Sequence, residues 1–495
     1  MTTPSLKALR LYTESYRLGD RGEWRPALEL AKQAVQEDPD FASAQIWLAW
    51  ALRNTSAPTA EVEAASARAL QLADRTTEPE RYWIIGSYHY VRQEYEKAVA
   101  AFEVLAGLYP EHRWAVNNLL PAYRRLGRNE DAAALAVRSA ALRPTSPSSN
   151  YGAAVDLAKI RKFEAARPYF ARVIELTGGP DVDPAHAWIG AYARLSPAYE
   201  AWFKGDARAT LAVLDRLVRN EAGIPQSLRD DFRRQVVPFY LAVGGAEAAR
   251  SVSALIQEDE QRHLHLALTA FAAEDMTVLR DEMLKARVTL RQPDRGMVTT
   301  GTGSSTTFLL AVWLKIQAGV LDEGRHLIEE GRKYYGDLGT GALSGELALA
   351  RGDIERAIGL LRREVDNPSL VFTGSSPFYR GAEALAAAYL RRGEEGLAAN
   401  VLRAALARRR ATNAGGLMND YYWMRLQLRL AELDHRLGRE AEAHALEEEL
   451  AALLAAADPD FPLSVRLRRL RQSSGATGGA SALALGEGLT PLASR

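Results

Sequence analysis

Three alanines, Ala98, Ala132 and Ala166, stand 34 residues apart, and a proline follows each of the first two after 12 residues, at Pro110 and Pro144. The amino-terminal part carries the same fragment, Ala27 followed by Pro39, about two periods before Ala98. A fixed period of this length restricts the fold sharply. It describes a pair of helices too short to bury its own apolar face, repeated so that each pair packs on the next in a solenoid. The residue types supply the reason: a small side chain lets two helices cross closely, and proline cannot continue a helix. A glycine placed five residues before the alanine, at Gly22/Ala27, Gly127/Ala132, Gly352/Ala357, Gly393/Ala398 and Gly438/Ala443, marks the turn inside a pair. Helix pairs are therefore expected toward both ends of the chain.

A chain of 495 residues exceeds what one compact core supports, whereas a repeat array of roughly twelve units fills that length without difficulty. Ala, Leu, Arg and Glu dominate and β-branched runs are short, so an all-α chain with almost no strand is expected. Lys plus Arg and Asp plus Glu both number 62, and this balance excludes bulk electrostatic capture of nucleic acid or of an anionic membrane. With no cysteine there are no disulfides, thiolate zinc sites or cysteine nucleophiles, and the compartment stays open. No apolar run approaches the ~18 residues of a membrane span. The opening MTTPSLKALRLYTESYRLG lacks the apolar stretch of a signal peptide, so any membrane anchor is expected outside this chain.

The best-formed units cover 79–110, 113–144 and 147–178. Gly86, Tyr88, Ala98 and Phe102 in the first, Leu119, Tyr123 and Gly127 in the second, and Leu157, Ala166 and Phe170 in the third resemble the tetratricopeptide repeat (TPR). The resemblance implies a right-handed α-solenoid of TPR and TPR-like hairpins. The expected organisation is an amino-terminal array at 1–178 and degenerate pairs at 179–291, the latter near 184–203 with 206–219, 227–243 with 245–257, and 261–273 with 275–290. A Gly/Thr/Ser-rich loop at 292–307 (QPDRGMVTTGTGSSTT), a carboxy-terminal array at 308–472 and a disordered tail at 473–495 complete it.

The runs ALELAKQAVQEDPDFASAQIWLAWALRN and EPERYWIIGSYHYVRQEYEKAVAAFEVLAGLYP, with HRWAVNNLLPAYRRLGRNEDA, are similar to the TPR sensor portion of bacterial membrane-anchored serine/threonine protein kinases. That resemblance implies an attached or associated kinase domain, a homodimer as a signalling form, and an extracytoplasmic array; a free-standing chain would be cytoplasmic. No kinase motif is present: neither a Gly-rich loop with a following strand lysine, nor an HRD-type catalytic loop, nor DFG.

The function expected is a non-catalytic scaffold that binds a protein or peptide, with no cofactor and no metal. In TPR units the first helix of each pair lines the concave surface. By that resemblance Trp83, Ser87 and Tyr90, then Trp114, Asn117 and Arg124, then Tyr151, are the candidate partner-binding residues. Large rigid aromatics with a polar handle suit peptide anchoring, although Trp83 and Trp114 are equally suited to packing between repeats. Asn117 and Asn118 alone do not make a carboxylate clamp, because Ser148 and Gly152 stand where basic residues would be needed. His263 and His265, two apart on a helix, face different directions and do not share a metal. Around Arg466, Arg468, Arg469 and Arg471 a basic amphipathic turn reads as the cap of the solenoid.

Two alternatives carry their own signatures. A self-associating protein would lay its own apolar tail stripe (Ala482, Leu483, Leu485, Leu489) or a second copy in the groove. An enzyme with a helical toroid active site would need charged residues converging in one cavity, and spacing along the chain reveals none.

Overall fold

A computed structural model describes residues 3–20, 23–55, 57, 59–92, 94–109, 113–179, 186–288, 304–335, 337–366, 376–407 and 420–475. Among these residues there are 26 α-helices, short 3-10 turns and no strand, so the chain is an all-α solenoid. Four hairpins open it: α1 (Leu6–Asp20) with α2 (Trp24–Glu37), α3 (Ala42–Asn54) with α4 (Thr59–Leu72), α5 (Glu78–Val91) with α6 (Tyr95–Leu108), and α7 (Arg113–Arg125) with α8 (Asn129–Leu142).

Next come α9 (Pro147–Lys159) with α10 (Phe163–Leu176), the short α11 (Ala187–Arg194) and α12 (Ser196–Phe203) with α13 (Ala207–Arg219), α14 (Gln226–Ala242) with α15 (Ala246–Ala254), and α16 (Asp259–Ala272) with α17 (Met276–Lys285). The last hairpins are α18 (Ser304–Gln317) with α19 (Leu321–Tyr335), α20 (Asp337–Ala350) with α21 (Ile354–Asp366), α22 (Ser376–Arg391) with α23 (Glu395–Ala407), and α24 (Asp420–Arg436) with α25 (Glu440–Leu453). A single helix, α26 (Pro462–Gly475), ends the described chain.

The turn glycines read from sequence do what was asked of them. Gly127, Gly352, Gly393 and Gly438 all have φ between +69° and +82°, the left-handed region that L side chains avoid. The next residue donates its N–H to the carbonyl five positions back, as from Arg128 to Tyr123 (2.9 Å), Asp353 to Ala348 (2.9 Å), Glu394 to Tyr389 (2.9 Å) and Arg439 to Asp434 (2.7 Å). This closes the last turn of the first helix in a Schellman motif and satisfies its orphan carbonyls. The alanines five residues later, Ala132, Ala357, Ala398 and Ala443, retain at most 1% of their surface.

Where the sequence signature fades, the same geometry persists. Gly205, Gly244 and Gly319 adopt φ of +80°, +81° and +74°, and Arg161 and Glu274 take the position at +59° and +57° without being glycine. Close helix crossing also explains Gly86: a Cβ there would lie 2.5 Å from the Phe102 ring, so α5 and α6 could not meet as they do.

Two compact units make up the chain, Met1–Arg143 with Arg291–Ser305, and Pro144–Leu290 with Thr306–Arg495. In the first, Trp47 is wholly buried with Tyr16 and Trp24 at 5.0 and 5.5 Å between ring centroids. Its indole N–H donates to Ser15 Oγ (2.8 Å), and Ser15 donates onward to the Ala27 carbonyl (2.6 Å).

The second unit brings its early helices against its late ones. The Asp458 N–H donates to the Gly244 carbonyl (3.0 Å), the Glu247 N–H to Asp458 Oδ2 (3.2 Å), and Trp202 Nε1 to Asp420 Oδ2 (2.5 Å). A Cβ on Gly244 would stand 2.3 Å from that of Ala457. Helix α26 buries Leu463, Leu467 and Leu470, and its Arg466 pairs with Glu432 at 2.6 Å.

Helix α18 begins at Ser304, inside the stretch expected as a loop, the helix extending back from the apolar run at 308–316. The rest of that stretch, together with Gly22, Pro110, Arg408 to Arg410 and the tail from 476 onward, lies outside the described residues.

Candidate functional site

The first helices α3, α5 and α7 of three successive hairpins neighbour one another in the first unit. At the start of α5 the Thr77 N–H and hydroxyl both donate to Glu80 Oε2 (3.3 and 2.8 Å), and this sets the register of the face that follows. Glu80 also accepts from the Ser43 hydroxyl (2.8 Å), which ties α5 to α3. One α5 face then presents Trp83, Ser87 and Tyr90, spaced i, i+4 and i+7.

All three are more buried than exposed groove residues would be, at 4%, 0% and 5% of their surface. Tyr90 stacks on Trp50 of α3 with centroids 5.2 Å apart, and the Arg53 guanidinium lies 4.8 Å from the Tyr90 ring and 5.5 Å from Trp50. Tyr95 and, 5.2 Å above its ring, Arg125 continue the series.

This face carries buried unsatisfied polar atoms, as the second unit also does at Tyr422 Oη, Arg429 Nη1 and Ser464 Oγ. Trp50 Nε1, Trp83 Nε1, Ser87 Oγ, Asn118 Nδ2 and Arg53 Nη1 are buried and make no hydrogen bond. Four of them are nitrogens that can only donate, and the fifth is a hydroxyl that can donate. A buried donor without a partner carries a desolvation penalty of about 1–3 kcal/mol. Five such atoms lie on the three successive first helices α3, α5 and α7. Trp47 of α3, buried against α1 and α2, shows the contrast, since its indole N–H is satisfied by Ser15.

The remaining sequence-predicted residues fall as follows. Asn117 and Arg124 are half-buried on α7, and it is the adjacent Asn118 whose amide lacks a partner. Trp114 lies in the first turn of α7, its side chain outside the described residues. Tyr151 belongs to the second compact unit, where its ring meets Trp188 and Tyr192 edge-on, each at 5.3 Å. Trp50 and Arg53 were missed in sequence because the 39–79 stretch has no clear repeat signature by which to register α3, whereas Asn118 was weighed only as part of a carboxylate clamp.

The second unit holds a charged cluster that spacing did not reveal. Glu383 of α22 accepts from Arg425 (2.8 Å) and Arg429 (2.5 Å) of α24, all three nine-tenths buried or nearly so. Burial pushes the Glu383 carboxyl up, but the two guanidiniums outweigh it and hold it at about 2. Arg425 also covers the Phe271 ring at 4.7 Å and Arg380 covers Trp313 at 4.5 Å. Burial raises the nearby Glu346 to about 7 against the opposing charge of Arg380.

This is the convergence of charge that a toroid enzyme would need, yet Glu383 spends its oxygens on two guanidiniums. A carboxylate held that acidic is a weak base near neutral pH. His263 and His265 are separated as expected: His263 Nδ1 bonds Glu282 (2.6 Å), while His265 is buried, bonded to the Gln261 carbonyl (2.7 Å), and lowered by burial to about 4.

Neither a protein-family model nor a curated protein sequence matches the chain. Among solved structures it is similar to yeast Tom70 (TM-score 0.38, 11% identity, covering 94% of this chain and 96% of that one). It is also similar to the Cut9–Hcn1 hetero-tetramer of APC/C (TM-score 0.30, 11% identity, 94% and 96% covered). Naa15/Naa10 bound to HypK-THB is a third (TM-score 0.28, 14% identity, 94% and 73% covered). The likeness lies in the stacking of helix pairs, and nothing of what those proteins bind transfers to this chain.

Proposed function

We propose that the protein is a non-catalytic interaction scaffold whose first unit grips an extended protein segment along α3, α5 and α7. The observation that carries this reading is the row of buried, unpartnered donors at Trp50, Arg53, Trp83, Ser87 and Asn118. An extended segment offers main-chain carbonyls at regular intervals, and aromatic neighbours such as Tyr90 supply apolar area beside them. Phosphates are acceptors too, but nucleic acids are met by projecting Lys and Arg rather than recessed indole and hydroxyl groups. The zero net charge supports the same choice.

Because these donors are buried, neighbouring side chains must shift to admit the carbonyls of the segment, and the new hydrogen bonds offset that cost. The resemblance of the amino-terminal runs to kinase-linked TPR sensors adds that the segment-binding unit would report to a serine/threonine kinase.

Panning a random peptide display library against the full chain, followed by hydrogen-exchange mapping of a selected peptide, tests the site. Protection concentrated in α3, α5 and α7 is expected. Protection confined to helices of the second unit would overturn the placement. Co-expression with a kinase from the same genome tests the sensor reading, which requires that a selected peptide change its autophosphorylation.

A further inference from the structure

Across the α24–α25 hairpin, His435, His444 and Glu447 come together although 9 and 12 residues separate His435 from the other two. One ligand atom from each lies within 4.8 Å of the other two. The geometry points to a binding site for a zinc-class divalent ion, held by His435 Nε2, a His444 ring nitrogen and a Glu447 carboxylate oxygen, with water in the fourth position.

The reasoning starts from His435. Its Nδ1 bonds Glu440 Oε2 at 2.6 Å, and its Nε2 points the other way, 2.5 Å from Glu447 Oε1. A carboxylate on the far nitrogen is the arrangement that fixes the tautomer and orientation of a metal-ligating imidazole. Glu440 is thus an orienting residue, while Nε2 is aimed at the site.

Glu447 is 2% exposed, so its carboxylate is already placed by packing. His444 is on the exposed side of α25, three residues before Glu447 and hence on the same helical face. Its ring stands edge-on to His435 with centroids 5.3 Å apart, and no described residue hydrogen-bonds it, so it can turn toward the ion without breaking a contact.

Tetrahedral zinc with bonds of about 2.0–2.2 Å sets ligand atoms about 3.3–3.5 Å apart, so on binding the 2.5 Å contact between His435 Nε2 and Glu447 Oε1 opens by about 1 Å and His444 closes in. Neighbouring Asp434 does not compete, being engaged by Arg403 (2.8 Å) and Arg439 (3.5 Å). Two imidazoles and one carboxylate select borderline ions over calcium or magnesium, which prefer all-oxygen sites. On binding, the proton shared between His435 Nε2 and Glu447 leaves for solvent.

The test is calorimetric titration of the chelator-stripped full chain with zinc chloride, alongside His444→Ala, Glu440→Gln and His326→Ala. His326 is a surface histidine with 68% of its side chain exposed and serves as the control. One zinc per chain is expected, weakened at least about tenfold by His444→Ala and about 10–100-fold by Glu440→Gln, and unchanged by His326→Ala. His444 is exposed, so its loss leaves the fold intact, and circular dichroism checks this. Cobalt substitution should give the intense visible bands of a four-coordinate site in the wild type and in His326→Ala, and lose them in His444→Ala. Wild-type zinc binding no tighter than millimolar, equal binding by His444→Ala, or loss of binding in His326→Ala would each overturn the assignment.

Discussion

At the scale of single residues, burial decides the role of each charged group. Glu383 is ionised deep in the second unit only because Arg425 and Arg429 flank it. Replacing it by glutamine strands two buried guanidiniums, and the expected destabilisation in denaturant titration is about 3–5 kcal/mol. The pH dependence carries a definite sign. With its folded pKa depressed to about 2 from 4.5, Glu383 contributes stability that is complete above 4.5 and lost as pH falls through 2. Glu383→Gln should flatten that acid limb in addition to lowering the plateau. None of this was visible in the sequence, because Glu383 lies on a different hairpin from Arg425 and Arg429 and no spacing motif joins them. His435 and His444 escaped for the same reason: the sequence reading sought histidine pairs on one helix, and this pair meets across a turn.

At the scale of the element, the hairpin turn is the most legible feature and also shows where legibility stops. The glycine-to-alanine offset of five was readable at Gly127, Gly352, Gly393 and Gly438, and all four adopt the left-handed conformation it requires. It was unreadable at Gly205 and Gly319, where Thr210 and Gly324 stand in the alanine's place, and it was passed over at Gly244, although Ala249 follows five residues later. At Arg161 and Glu274 the turn is made without glycine at all, the packed hairpin overriding the local preference.

Two glycines separate backbone strain from crowding. Gly352→Ala meets nothing within 4 Å and should cost only the left-handed penalty of about 1–2 kcal/mol. Gly244→Ala adds a collision with Ala457 and should cost about 1–3 kcal/mol more, measured by chemical denaturation of the full chain. Equal costs would mean that the α14–α15 turn and the segment before α26 are not packed as described.

At the scale of the whole molecule, balanced charge and a helical-repeat architecture fit a binding surface that works by shape and hydrogen bonding. Binding of a selected peptide should therefore change less than about tenfold between about 50 and 200 mM salt, where six to ten phosphate contacts would lose about 10³–10⁵-fold. The architecture was legible from the period of 34, since each unit needs its neighbour to bury its helices. The proposed partner-binding face remains a reading of the resemblance, which pointed to Trp83, Ser87 and Tyr90 as a stripe; their burial, with Tyr90 against Trp50 of α3, was not readable because the sequence could not register α3.

The most direct measurement is the affinity of one library-selected peptide for the wild-type chain and for the triple variant Trp50→Phe, Trp83→Phe and Ser87→Ala, by fluorescence anisotropy. The substitutions keep the packing bodies and delete three donors that are unpartnered in the free chain, so stability should change little while binding suffers. Three hydrogen bonds at a net ~1 kcal/mol each predict an affinity loss of about a hundredfold. Unchanged affinity in a variant that unfolds at the wild-type midpoint would contradict the placement of the binding face.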